Sequence, residues 1–394
     1  MGLAARSRRL GYLLAASIVS SPLALPARCA AQHLEPPAVA TAMARYRRDV
    51  AQYQTARADY EAAADAYWRS IVEKRRLRAA KRADHQPISL DDYVLTQPPV
   101  YRGPPKPRNP SQPQEQAPPA PAVYVPVVAD FLAAAQHEFK FAPRLPQSES
   151  QFKRAYAEAA LAAGLTRKQI VRIYSFEAGG NGDYDVQAGL EYNKRARAIT
   201  TALGYNQLLA TNSVEIIAES GNRFIKSLLT RAASLPDSAR EALDDKIAIV
   251  RKMVGVARSV PDQWSRHQAL ANTPKGLGIH AMNLDLDVGP LLQTQKLMDS
   301  IVFARRKGVN ITLSAAELEM MNLTGDGNGF DMITMPPAWR DEVPTANFFQ
   351  RSGYDDNPVA QRNNVVGRLI AATDARMDEE ARKPGAQQLA AALR

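Results

Sequence analysis

The chain has 394 residues and carries 50 Lys and Arg against 40 Asp and Glu, a formal charge of +10 that favours anionic surroundings. Its single cysteine, Cys29, excludes an internal disulfide framework, and His33, His85, His137, His267 and His280 have no metal-ligand spacing. The sequence contains no P-loop, no G-x-S-x-G and no nucleic-acid module, so nucleotide, serine-nucleophile and nucleic-acid functions lack support, and neither cofactor nor metal is expected.

In chain order, Arg6, Arg8 and Arg9 precede an apolar run from Leu10 to Leu25 that is broken by Ser20, Ser21 and Pro22. The run is short for a membrane span, so residues 1–31 read as a secretory signal, with Ala27 and Ala31 as candidate last residues. This predicts a periplasmic or secreted protein without a stable membrane span after processing. Residues 37–85 then read as one basic helix: Tyr46, Tyr53, Tyr60 and Tyr67 recur every seven residues, with Val50, Ala64 and Ile71 four positions further on. Such a stripe suits either docking onto the body of the same chain or association with a partner or a second copy. Its basic end, EKRRLRAAKR, also suits an anionic polymer.

Residues 86–126 are proline-rich and predict an extended polyproline linker. The globular region, 127–380, is patterned for helices nearly throughout: 148–163, 166–178, 193–203, 206–219, 236–256, 286–306, 314–321 and 358–377, which places the fold in the mainly α class. An Ala-rich tail, 381–394, reads as flexible.

One residue stands out. In LTRKQIVRIYSFEAGG, Thr166 and Gln169 fit a capping box, Gly179 and Gly180 fit a stop, and Ile170, Ile173 and Tyr174 mark the apolar face. The next position on that face is Glu177. Burial and the negative end of the helix both disfavour its ionised form, which is what a general acid needs at neutral pH. The alternative is that Glu177 swings out to solvent past the last turn. If a second carboxylate takes part, Asp183 and Asp185 are the near candidates, and water would then be the attacking group.

GLTRKQIVRIYSFEAGG, TTALGYNQLLATNSVEII and MNLDLDVGPLLQTQKLMDSI, in that order, resemble the lysozyme-like lytic transglycosylases that cut bacterial peptidoglycan, over roughly residues 150–330. The resemblance matches Glu177 to the family's catalytic Glu, Gly204, Tyr205, Asn206 and Gln207 to its G-L-M-Q segment, and Asn283 with Gly289 to an Asn-containing helix. ELEMMNLTGDGNG is a weaker match to A-Y-N-A-G, with Met321 in place of the tyrosine, followed by Asn322. Ala178 replaces the usual Ser after the Glu, and Asn206 stands where the family has Met. The resemblance implies a lysozyme-like helical domain in which Glu177 alone acts as acid and base on the MurNAc–GlcNAc bond, giving 1,6-anhydro products. Substrate contacts would then come from Gln207, Tyr205, Asn206, Asn322 and Tyr184, with Tyr205, Tyr184 or Tyr354 supplying the missing hydroxyl. Gln207 has a second reading, as a cap on local backbone. The rival function is a non-catalytic wall-binding or assembly protein that keeps the fold.

Two further motifs carry bland readings. GDGNGFD at 325–331 alternates Gly with Asp326, Asn328 and Asp331 but lacks the closing acidic residue of a calcium loop, so it reads as a tight turn. Phe348, Phe349 and Tyr354 fit either aromatic packing of a closing segment or a sugar platform.

Overall fold

The computed structural model describes residues 37–111, 124–190 and 197–394. The signal segment, Cys29, His33 and residues 193–196 lie outside them. The described chain is helical, with isolated bridges and no extended strand among the described residues, and it divides into two units.

The first unit comprises residues 37–54 and 104–111. It holds the opening turns of α1 (Pro37–Ala83), with Met43 accepting a hydrogen bond from Ser111 Oγ at 3.0 Å. Among the described residues, no helix is long and apolar enough to cross a membrane.

The second unit holds the rest of α1 and every later helix. Here the heptad stripe docks in cis: Ala64 and Ile71 are 1% exposed, and Arg78, one heptad on, is fully buried. The Trp68 ring meets the Tyr354 ring edge-on at 5.7 Å. The basic end of α1 is largely spent inside the protein. Arg75 donates to the carbonyls of Asn347 and Phe349, Lys81 pairs with Asp92 at 2.6 Å, Arg78 pairs with Asp331 at 2.7 Å, and Lys74 and Arg82 bind Asp91 and Asp331. An anionic polymer would find few of these cations free.

Proline content misleads over 86–103. Apart from a single 3-10 turn at Leu90–Asp92 the segment is extended, and it is packed: Tyr93 is 4% exposed, Val94 and Asn347 exchange backbone-to-amide bonds of 2.9 and 2.8 Å, and Gln97 donates to Asn364 O at 3.0 Å. An extended backbone is as fit to be a strap as a linker, because amides with no local partner remain available to side chains. Residues 112–123 of the predicted linker lie outside the described residues.

Two apolar clusters build the body. One gathers α3 (Glu149–Ala163), α4 (Arg167–Glu177), α10 (Ala315–Thr324), α11 (Asp326–Thr334), α14 (Val366–Glu380) and α15 (Pro384–Ala392). The other gathers α2 (Val128–Phe139), α5 (Ala210–Ala232), α6 (Asp237–Ala257) and α8 (Pro274–His280) beside the short α7 (Trp264–Ala271). α9 (Gly289–Arg306) contributes Leu292 to the second cluster and Leu297, Ile301 and Ala304 to the first. The short helices α12 (Arg351–Asp355) and α13 (Pro358–Arg362) precede α14. Phe348, Phe349 and Tyr354 are 1%, 6% and 5% exposed, so this segment packs into the core rather than forming a sugar platform.

Three boundaries differ from expectation. Residues 197–203 are not helical, and α5 starts only at Ala210, because Leu203 and Leu208 close a two-way bridge with both N–H···O distances at 3.0 Å. Gly204 (φ 78°) and Gln207 (φ 44°) turn the chain there, and a Cβ at Gly204 would meet Gln293 Nε2 at 2.5 Å. The predicted 358–377 helix breaks at Asn363 into α13 and α14. The tail is ordered: α15 buries Ala386 and Leu389 completely, so its Ala-rich composition reflects close packing against α3 and α4 rather than fraying.

Candidate active site

α4 is framed as its sequence predicts. Thr166 Oγ1 accepts from Gln169 N at 3.2 Å, while Gln169 Oε1 accepts from Thr166 N at 2.8 Å. Ile170, Ile173 and Tyr174 are fully buried, and Gly179 and Gly180 take left-handed φ values of 58° and 71° after the C-cap Ala178. A Cβ on Gly180 would lie 2.3 Å from Glu380 O, so the chain must turn on glycine. Arg172 anchors the same helix to α14, donating to Asp374 Oδ1 at 2.6 Å and to Asp378. The last residue of α4, Glu177, is thereby held against the protein instead of swinging out.

Glu177 opens into a cleft of about 670 Å³ between α4 and α10 on one side and α5 and α9 on the other, within the roughly 300–1,000 Å³ usual for small-molecule sites. Phe176, Asn212, Ile216, Lys296 and Leu323 share its walls, with half-exposed Trp264 of α7 also lining it. A contiguous groove of about 400 Å³, sharing Glu219, Asp299 and Asp326 with it, adds Arg223 and Arg306.

α10 brings the partners of Glu177. Its N-terminus carries a second capping box, Ser314 N donating to Glu317 Oε2 at 2.8 Å. Gly329 of α11 lets that helix cross α10 so closely that a Cβ would lie 2.3 Å from Met321 Cα. Asn322 Nδ2 donates to Glu177 Oε1 at 2.6 Å. One turn earlier Glu319, 2% exposed, meets the Glu177 carboxyl within hydrogen-bond reach. Burial pushes Glu177 up to about 7, against the lowering effect of its contacts with Glu319 and Asn322. Glu319 is driven well above the ordinary carboxyl range, by burial first and then by the Glu177 charge beside it.

Three further cleft carboxylates are also unfavourably placed as anions. Glu215, Glu219 and Asp299 are each raised, chiefly by burial, although Lys296 acts against the rise in all three. The positive charge of the whole chain is therefore not the character of its cleft, where Lys296 is the one cation among the described lining residues.

The predicted contact residues divide. Glu177, Gln207 and Asn322 line the cleft. Gln207 also caps backbone, its Nε2 donating to Gly204 O at 2.8 Å and Val186 O at 3.2 Å. Tyr205 and Asn206 do not reach the cleft. Tyr205 is fully buried, edge-on to Tyr174 at 4.8 Å and donating to Glu149, and Asn206 binds Gln293 O at 2.7 Å and the Tyr156 hydroxyl at 3.0 Å. Tyr184 packs on Phe152 at 5.1 Å, and Tyr354 lies in the core, so none of the three tyrosines presents a hydroxyl to the cleft. Asn283 is buried, with Ser213 Oγ, His280 O and Gln293 Nε2 as partners, and Gly289 passes against its carbonyl. Both hold architecture. Asp183 and Asp185 lie on the exposed loop, and the carboxyl that meets Glu177 is Glu319 instead.

GDGNGFD is a helix junction. Gly325 turns at φ 80°, Asp326 accepts from Ser300 Oγ at 2.6 Å, and Asp331 is buried against Arg78, Arg82 and Tyr93. Among the described residues no group of three or more His, Cys, Asp or Glu side chains is arranged to hold a metal ion.

Glu319 escaped the sequence reading although its signal matches that of Glu177: a carboxylate on a helix whose neighbours Ala315, Ala316, Leu318, Met320 and Met321 are all buried. Comparison with known protein families, characterised proteins and solved structures returns no match.

Proposed function

We propose that the chain cleaves peptidoglycan as a lytic transglycosylase, with residues 127–380 as a lysozyme-like helical domain acting outside the cytoplasm. The observation that carries this reading is Glu177: a carboxyl titrating near neutrality, at the wall of a cleft, fixed by Asn322 at 2.6 Å. A group titrating near the working pH is suited to give a proton and take one back in the same cycle.

In this reading Glu177 protonates the oxygen between N-acetylmuramic acid and N-acetylglucosamine, and the C–O bond breaks. It then takes the proton of the muramyl 6-hydroxyl as that oxygen attacks the anomeric carbon, closing a 1,6-anhydro ring. The substrate's acetamido group helps to hold the intermediate. Gln207 and Asn322 are the remaining expected contacts on the cleft wall. Glu319 does not supply a two-carboxylate mechanism. The pair is in hydrogen-bond contact, whereas retaining and inverting glycosidases need about 5 Å or more between carboxyls to admit a sugar or a water. A protein partner or second copy is proposed only for residues 37–54, since the later part of the Tyr stripe is covered in cis.

The second reading, wall binding without cleavage, is favoured by one observation: among the described residues no tyrosine lines the cleft, where the family resemblance leads one to expect a hydroxyl. Release of soluble fragments from purified peptidoglycan by the wild type, with none from Glu177→Gln, supports the enzyme. Sedimentation of both proteins with the wall and no release supports the binder.

A further inference from the structure

Glu319 is buried in the cleft wall with its Oε2 atom out of reach of any hydrogen-bond donor, and no cation lies within ion-pairing distance of it among the described residues. The Asn322 amide sits against both carboxyls and binds Glu177. Of the charged groups lining the cleft, Glu177 comes from α4, Glu215 and Glu219 from α5, Lys296 and Asp299 from α9, and Asp326 from α11. Among the described lining residues only Lys296 is positive. An ionised carboxylate in this position would place a buried charge beside a second carboxylate, with one of its oxygens lacking any donor. A proton removes the charge and turns the orphan acceptor group into a donor.

We propose that Glu319 stays a neutral carboxylic acid while Glu177 titrates, and that it acts as the positioning residue of the site by donating a hydrogen bond to the ionised Glu177. When Glu177 has given its proton to a leaving oxygen, the Glu319 hydroxyl and the Asn322 amide both point donors at the carboxylate that remains. When Glu177 recovers a proton from the attacking hydroxyl, Glu319 keeps its own. The pair therefore cycles by one proton, with Glu319 as the fixed donor. The role in turnover rests on the reading of Glu177 as the acid, but the protonation state of Glu319 does not.

Infrared difference spectroscopy of the full chain at pH 8, above the titration of Glu177, reads this directly. The expected result is a carboxylic-acid C=O band that persists in Glu177→Gln and disappears in Glu319→Gln. Loss of no such band in Glu319→Gln, or its absence from the wild type at pH 8, overturns the proposal whatever the protein does to glycans. The donor role is read from the titration of Glu177 in two variants. Glu319→Gln keeps a donor and should leave that titration near its wild-type position, while Glu319→Met has none and should move it upward by about one pH unit, a tenfold change in the protonation equilibrium. Identical titrations in Glu319→Met and the wild type would show that Glu319 donates nothing to Glu177. Cleavage of peptidoglycan is scored separately, so failure of the enzyme reading leaves both spectroscopic outcomes decisive.

Discussion

Arg78 and Asp331, 253 residues apart in the chain, meet at 2.7 Å with side chains 0% and 4% exposed. The guanidinium also lies 4.3 Å from the centre of the Tyr93 ring and donates to Asp92 O at 2.9 Å. One cation thus ties α1 and the extended strap to α11, which begins at the cleft residue Asp326. Removing one partner of a buried pair costs about 3–5 kcal/mol because the other is left charged and unpaired. Arg78→Met is expected at the lower end, since Arg82 still binds Asp331. Chemical denaturation should show that loss, with part of it recovered when Asp331→Asn is added.

A second buried knot joins α6 to the start of α9. Lys246 pairs with Asp285 at 2.7 Å and with Asp287, which also binds Arg144 and Arg231. These donors overcome burial and hold Asp287 well below the ordinary carboxylate range. With the folded value depressed, its stabilisation is full above the unfolded value, about 3.9, and is lost as pH falls below it. Denaturation midpoints measured from pH 6 to pH 2 should therefore drop steeply in the wild type. Lys246→Met should be less stable at pH 6 by about 3–5 kcal/mol and should show a shallower acid slope.

Glu177 obeys the opposite sign. Its folded value, about 7, lies above the unfolded one, so the folded state binds the extra proton between them. Stability is then highest at the acid side of that window and falls as pH rises through 7. Glu177→Gln should be more stable than the wild type at pH 8 by about 1–3 kcal/mol, and the difference should vanish near pH 4. Equal stabilities at pH 8 would contradict the burial of that charge.

The end of the chain offers a test of packing. Leu389 of α15 is fully buried, and deleting a buried leucine side chain to alanine costs about 2–5 kcal/mol. Leu389→Ala should show this loss in equilibrium unfolding; a change below about 0.5 kcal/mol, the range of ordinary surface substitutions, would restore the flexible tail expected from composition.

Much of this was legible because periodicity and capping act locally. α3, α4, α6 and α10 lie close to the helices expected at 148–163, 166–178, 236–256 and 314–321. Glu177 was legible because it interrupts an apolar face. What escaped was set by partners distant in sequence. The strap at 86–103 depends on Asn347 and Asn364, and the α5 boundary depends on a turn braced by Gln293. Tyr205 and Asn206 look like cleft residues beside Gln207, yet a tight turn sends successive side chains in different directions, and those two point into the core.

The central claim, that Glu177 is the acid and base of a glycan-cleaving site, is tested most directly by mass spectrometry of soluble products from purified peptidoglycan. The wild type should release muropeptides ending in 1,6-anhydro-muramyl residues, and Glu177→Gln should release none. Reducing-end products from the wild type would place water, not the 6-hydroxyl, in the attacking role. Anhydro products from both proteins, or none from either, would contradict the assignment of Glu177.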